Sequence, residues 1–450
     1  MPAGKNEYAL KGRNIGFHDG YDVIVVGGGP AGCAAATAAA REGAATLLIE
    51  RAGALGGMGT LGLVPWFCGY DDGKDVIARG LAEHVRLALN GTSIDPELLK
   101  RIYDDLVTRS GAKILFLSQL CSVERSEDGK IDALLVSNKA GLCAYRAKVY
   151  VDCTGDGDLA AMAGAPFEKG DEDGNLQPAT HCFTLTNVEP YDCWYNPQRP
   201  AGSAPSVHFF DPESPVHKAI KSGRYPLIVD LHSCSTQIGP RAYGFNTGHV
   251  FDVDNTDPDS VSRALVHGRK QAAEYRQAFA EFHPAFVNSY LAATGALLGV
   301  RETRRILGDY SLTIDDYLAR RSFPDEICRN AYNIDVHGSR KEATKACKES
   351  IDTLKARIDQ EVKSFGPGES FGVPYRCLTP KGLDNVLVAG RCISTDRPVN
   401  GSVRIMACCL TTGEAAGIAA AMAAARDADV HRVNTQALRQ VLRKNGAYLP

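Results

Sequence analysis

Residues 21 to 32 read YDVIVVGGGPAG, and this stretch decides the fold. The apolar run Asp22 to Val26 reads as a strand, and three glycines, a proline and an alanine-rich segment follow at once. Gly27, Gly29 and Gly32 occupy the G-x-G-x-x-G positions directly after it. In that pattern the first glycine allows a tight turn, the second lets backbone approach a pyrophosphate, and the third lets the helix pack close to the sheet. A helix starting at Pro30 and Ala31 points its positive end and free N–H groups at the phosphates. Glu50 ends the next predicted strand, eighteen residues past Gly32. An acid at that place accepts hydrogen bonds from ribose hydroxyls, so a bound dinucleotide is expected.

Three further motifs extend outward. Arg51 is followed by Ala54 to Thr60, where Gly57 and Met58 belong to a second glycine pair that brings backbone close to the ligand. The run VDCTGDGD, residues 151 to 158, places Thr154, Gly155 and Asp158 after a strand end. Far along the chain, NVLVAGRCISTDRPVNGSVRIM ends a strand at Gly390 and Arg391. A long alanine-rich helix is predicted from Ser402 to Ala425, with Ser402, Val403, Arg404 and Ile405 at its start. If that helix begins under a flavin ring, its dipole stabilises negative charge on the reduced ring.

Strands are predicted at Asp22 to Val26, Thr46 to Ile49, Lys113 to Leu117, Arg146 to Val151 and Asn385 to Ala389. Their alternation with helix predicts a parallel α/β sheet. Val123 to Ser137 alternates polar and apolar residues around Asp128-Gly129-Lys130, the mark of an antiparallel hairpin. From about Ala165 to Pro374 prolines and aromatics replace this texture, with helices expected at Val261 to Phe279 and Lys341 to Lys363. The prediction is a discontinuous nucleotide domain, residues 1–164 and 375–450, interrupted by a substrate domain, residues 165–374.

The 50 basic and 53 acidic residues nearly cancel, leaving no global field to attract nucleic acid or anionic lipid. The 14 cysteines form no C-x-x-C pair, which argues against a zinc site, an iron–sulfur cluster or a disulfide framework, and no metal is expected. Free thiols fit a reducing compartment, so a cytoplasmic location is expected. The polar N-terminus, MPAGKNEYALKGRNIGFHDG, lacks the apolar core of a secretory signal. Residues 23 to 40 are uncharged, but their glycines and Pro30 speak against a membrane span.

The order of glycine fingerprint, Glu50, TGDGD and a distant AGR with its helix resembles the flavoproteins with two dinucleotide-binding domains. GVRETRRILGDYSLT (299–313), NIDVHG (333–338) and GVPYRCLTPKGLDNVLVAGRCIS (372–394) are similar to bacterial FAD-dependent oxidoreductases. The likeness runs from Tyr21 to Ala420. It implies FAD as cofactor and a Rossmann-like FAD-binding domain joined to a β-rich α+β substrate domain. Val123 joins the residues above as an expected FAD contact. Where the family carries a Thr-His pair after AGR-x-x-S, this chain has Thr395-Asp396. No second complete fingerprint marks a nicotinamide domain, so the electron acceptor stays unidentified.

For chemistry, Arg301 heads a cluster with Glu302, Arg304 and Arg305 that could, if helical, clamp an anion or brace a domain junction. Arg301 or Arg404 is expected to anchor a small-molecule substrate. A proton-accepting histidine is sought among His181, His249 and His337, with His249 and His337 the chosen candidates. Cys68 could face the ring or fill core. The expected reaction passes hydride between flavin N5 and an alcohol, sugar or hydroxy acid. The alternatives are an ene reductase or desaturase like the fumarate-reductase flavoproteins, and an electron-transfer subunit. A homo-oligomer is compatible with all three.

Overall fold

The computed structural model describes residues 12, 14–126, 129–200, 202–347, 353 and 365–450. At its centre is a seven-stranded sheet. Five strands run parallel in the spatial order Lys113–Leu115, Thr46–Ile49, Gly16–Val26, Gly141–Asp152 and Val386–Val388. All five predicted strands lie in it. Val23 to Val26 are buried throughout, as an unbroken apolar run must be in a sheet covered on both faces.

Strand Gly141–Asp152 splits its second edge. Its first half pairs antiparallel with Ile131–Asn138, and its last residues pair parallel with Val386–Val388. An antiparallel meander ending in Gln119–Arg125 therefore branches from the parallel sheet, and it contains the predicted hairpin. Asp128 of the expected turn lies outside the described residues, while Gly129 adopts φ +85°.

Helices Pro30–Arg41 and Met406–Ala424 pack backbone to backbone. A Cβ on Gly413 or Gly417 would overlap the carbonyl of Ala31 or Ala35. Residues 23 to 40 are thus a buried strand, turn and helix. Helix Met406–Ala424 is long and apolar enough to cross a membrane by composition, but 94% of its most apolar window is buried within the protein.

A second sheet, four strands and antiparallel, orders Tyr290–Thr294, Phe183–Thr186, Ala242–Thr247 and Ser233–Gly239. Helix Pro258–Phe282, capped by Asp257, packs against it, and Tyr275 and Phe279 from the helix join Phe183, Tyr243 and Phe245 in a separate core. This is the helix expected over Val261 to Phe279. The first core reaches beyond the parallel sheet, taking in Ile306, Tyr317, Ile327 and Phe371 from the interval assigned to the substrate domain. Of the helix expected at Lys341 to Lys363, Arg340–Ala346 is helical, and residues 348–352 and 354–364 lie outside the described set.

Two expectations are corrected. The arginine cluster is not helical: Arg304–Ile306 is a strand paired with Phe167–Lys169, so its side chains alternate across a ribbon. The C-terminal helix does not begin at Ser402. Asp396 caps a short helix, Arg397–Val403, and the chain turns extended at Ile405 (φ −63°, ψ 147°) before helix Met406–Ala424 starts.

Candidate active site

Each glycine of the fingerprint has its own physical reason. Gly27 sits at φ +95°, and a Cβ there would collide with the backbone of Cys153. Gly32 packs against the Gly27 carbonyl, which a Cβ would overlap. Gly29 has an ordinary φ of −72°, and a Cβ on it would meet nothing within 4 Å. Neither strain nor protein packing calls for glycine at Gly29; the open space beside it does. That space belongs to a cavity of about 590 Å³. No side chain caps the following helix, so its first-turn N–H groups remain free for an anion.

At one end of the cavity lie Glu50, Arg51 and residues 118 to 120. Glu50 accepts the N–H of Gly28 at 2.6 Å and that of Ala52 at 2.7 Å, which fixes its carboxylate beside the turn. Each oxygen keeps lone-pair capacity for ribose hydroxyls. Val123 is corrected here, since it does not line the cavity. Ser118 donates its backbone N–H to the Glu50 carbonyl, so Ser118, Gln119 and Leu120 reach the site and the strand has left it by Val123.

The middle of the cavity collects Gly57, Met58, Thr154, Gly155 and Asp158. Gly155 (φ +80°) faces the guanidinium of Arg391, which pairs with Asp156 at 2.8 Å. Burial alone would raise the Asp156 carboxyl, but Arg391, Thr303 and Asn255 hold it below its usual range. Asp158 pairs with Arg304 at 2.8 Å, and Glu302 with Arg397 at 3.0 Å. Glu302, Arg304 and Arg305 are therefore taken up in ion pairs with neighbouring segments, and of the cluster headed by Arg301 only Arg301 itself lines the cavity.

Gly390, Arg391, Arg404, Ile405 and Met406 line the far end. Helix Met406–Ala424 also starts there without a side-chain cap. Two uncapped helix ends thus face one cavity, the electrostatic arrangement expected for pyrophosphate and a reduced isoalloxazine. Ser402 and Val403 are corrected: they are buried outside the cavity lining, and Ser402 donates to the Tyr332 carbonyl and accepts from Asn330. Asp396, in place of the family's histidine, accepts the N–H groups of Val399 and Ile314 and so serves the backbone.

Beyond the ring end, Arg301, Arg404 and Asp335 converge. Arg404 donates to the Asp335 carboxylate at 3.0 Å, while its own Nε is buried without a partner. Arg301 donates to the Pro178 carbonyl and to Thr180 Oγ1. Burial, then the charge of Arg404, draws Arg301 down to about 10. Burial pushes Asp335 up, but His337, Arg404 and Arg301 outweigh it and hold the carboxyl far below its usual range.

His249 and His337 are brought together, 2.8 Å apart, yet neither lines the cavity; the structure sets them behind Asp335. Burial, then Arg301, takes His337 down to about 3, and burial lowers His249 despite Asp230. His181 is far less available, bonded to the Gly295 carbonyl beneath Gly268. Cys68 lines the cavity, and burial pushes its thiol up to about 11. The sequence reading missed Asp230 and His232, while Asp335 was legible as the acid two residues before His337 that could orient its ring. The signal for them was a repeated Asp-x-His, at 230–232 and 335–337.

Solved structures resemble this chain at low identity. A geranylgeranyl bacteriochlorophyll reductase-like protein from Thermoplasma acidophilum is 15% identical, with a TM-score of 0.47 over 96% of this chain and 85% of that one. A flavin-dependent brominase is 12% identical, TM-score 0.43, over 94% and 84%. A myxobacterial chondrochloren halogenase is 12% identical, TM-score 0.40, over 95% and 79%. No curated protein matches. The family described as "FAD dependent oxidoreductase" matches residues 22–442, a span holding every residue that lines the cavity. The open space at Gly29, the carboxylate of Glu50 and the two uncapped helix ends fit the cofactor that this match brings, and the chain belongs to the FAD-dependent oxidoreductase family.

Proposed function

We propose that the protein passes hydride between a small hydroxylated substrate, of alcohol, sugar or hydroxy-acid type, and N5 of the flavin. FAD supplies the two-electron centre. The observation that carries the reading is the pair Arg301 and Arg404, two cationic side chains that line the ring end of the cavity together. Two guanidinium groups lining one cavity favour an anionic ligand, and a carboxylate is the planar partner that suits them. Hydroxy acids are therefore the favoured class. Asp335 holds Arg404 in place and offers its carboxylate as hydrogen-bond acceptor to a substrate hydroxyl, with His337 behind it. Electrons then leave to an acceptor other than a nicotinamide held in a second fingerprint domain.

One observation favours a second reading, the reduction of an activated double bond. Arginines line the cavity where histidines do not, and burial draws Arg301 down to about 10, which eases proton donation. The readings separate under anaerobic conditions. Bleaching of the 450 nm flavin band by hydroxy acids supports the first, with KM raised about tenfold or more in Arg404→Met, the equivalent of about 1.4 kcal/mol. Reoxidation of dithionite-reduced protein by an α,β-unsaturated acid, without bleaching by any hydroxy acid, replaces it with the second.

A further inference from the structure

Three histidines meet beside the cavity. His232 precedes strand Ser233–Gly239, His249 follows strand Ala242–Thr247, and His337 comes from the loop after strand Glu326–Asn330. One ring nitrogen from each lies within 4.8 Å of the other two. Nε2 of His249 and Nδ1 of His337 face each other at 2.8 Å. Their opposite nitrogens meet carboxylates: Nδ1 of His249 is 3.3 Å from Asp230, and Nε2 of His337 is 3.2 Å from Asp335. Both contacts are oblique. His232 stacks on His249 with centroids 4.5 Å apart.

Counting protons exposes what the cluster lacks. The chain Asp335, His337, His249, Asp230 has three gaps, and two neutral imidazoles bring two protons. If each imidazole donates outward to its carboxylate, two bare lone pairs point at one another across the middle gap. In that arrangement a cation fills the gap. We propose that His232, His249 and His337 bind one divalent first-row transition-metal ion of the Zn2+ class, with Asp230 and Asp335 orienting the rings. Neutral imidazole is a preferred ligand for such ions, and a carboxylate on the far nitrogen is the usual support for a metal-bound histidine. Zinc–nitrogen distances of about 2.0–2.1 Å in a tetrahedral site separate ligand nitrogens by about 3.3 Å, so the two facing rings need to part by only about half an ångström. Arg301 is the counterweight. Its Nη2 lies 3.3 Å from Nε2 of His232, which also sits 3.3 Å from Asn246 Oδ1, so metal loading requires Arg301 to give way. The inference does not depend on which substrate the flavin site takes.

The test is titration of the EDTA-stripped, flavin-loaded full chain with Zn2+ alone by calorimetry, with elemental analysis of the recovered protein. One equivalent is expected to bind and to raise Tm. Single replacements His232→Ala, His249→Ala and His337→Ala should each weaken Zn2+ binding at least tenfold. Asp230→Asn should weaken it about tenfold, since second-sphere losses run ten- to a hundredfold. Arg301→Gln should tighten it, and exposed His267→Ala should leave it unchanged. The 450 nm band of each variant reports flavin loading separately, so loss of FAD is not mistaken for loss of metal. Absence of saturable binding at one equivalent in the native chain, or native-strength binding in all three histidine variants, overturns the proposal and leaves a proton as the occupant of the gap.

Discussion

The carboxylate of Glu50 bridges two backbone segments, accepting the N–H of Gly28 at 2.6 Å through one oxygen and that of Ala52 at 2.7 Å through the other. Glutamine cannot do both, because one end of its amide would present N–H to N–H. Glu50→Gln is therefore expected to misalign the glycine turn. Hydrogen bonds to a charged group contribute about 1.5–3 kcal/mol, so the Kd for FAD should rise about ten- to a hundredfold. Fluorescence titration of the apoprotein measures it, and an unchanged Kd would remove Glu50 from the cofactor site.

Gly29 and Gly32 separate binding from folding. In Gly29→Ala the new methyl enters open space at a φ that alanine accepts, so the apoprotein should keep its Tm while FAD uptake falls sharply. In Gly32→Ala the methyl meets the Gly27 carbonyl, so soluble yield and Tm should drop even without cofactor. Equal thermal melts for the two apoproteins would contradict this division.

Arg391 and Asp156 form a buried pair, and removing one partner strands the other. Arg391→Met should cost about 3–5 kcal/mol in chemical denaturation. The double variant Arg391→Met with Asp156→Asn should recover part of that loss, because the asparagine can still meet Thr303 and Asn255. A double variant no better than the single one would show that the pair does not set the cost.

Burial pushes the carboxyl of Glu414, on helix Met406–Ala424, up to about 7, although it accepts the N–H of Leu81. An acid whose pKa is raised by folding binds its proton more tightly in the native state. Stability therefore falls as pH climbs from the unfolded value of 4.5 to about 7. The loss is on the order of 3 kcal/mol. Glu414→Gln keeps an acceptor for Leu81 and abolishes the titration. It should melt higher than the native chain at pH 8 and nearly level with it at pH 5, and a pH-independent difference in Tm would refute the assignment.

The parallel sheet was legible because its strands are unbroken apolar runs and the turn after the first carries glycines no other structure needs. The helix after Arg391 was misplaced because nothing in Arg404-Ile405 marks a break. The informative signal lay upstream, where Asp396 and Pro398 spell the capped start of a separate short helix. Val123 lies further along a strand of which only the first residues, beside Glu50, line the cavity. The histidine group could not be read as a unit, since its members sit on two strand ends and a distant loop, and only the antiparallel sheet folding over the cavity gathers them. The arginine cluster divided for a similar reason: Arg304 and Arg305 lie in a ribbon strand and meet acids, while Arg301, before that strand, lines the cavity.

The contact of Gly413 and Gly417 with the carbonyls of Ala31 and Ala35 has a consequence for selectivity. Each of the two helices offers one end to the cofactor, and because their backbones touch, the spacing between those ends cannot stretch or shrink to suit a guest. The pair acts as a caliper. A flavin ring at one jaw and a phosphate at the other must match that fixed span, while the adenosine half would be recognised outside it, beside Glu50.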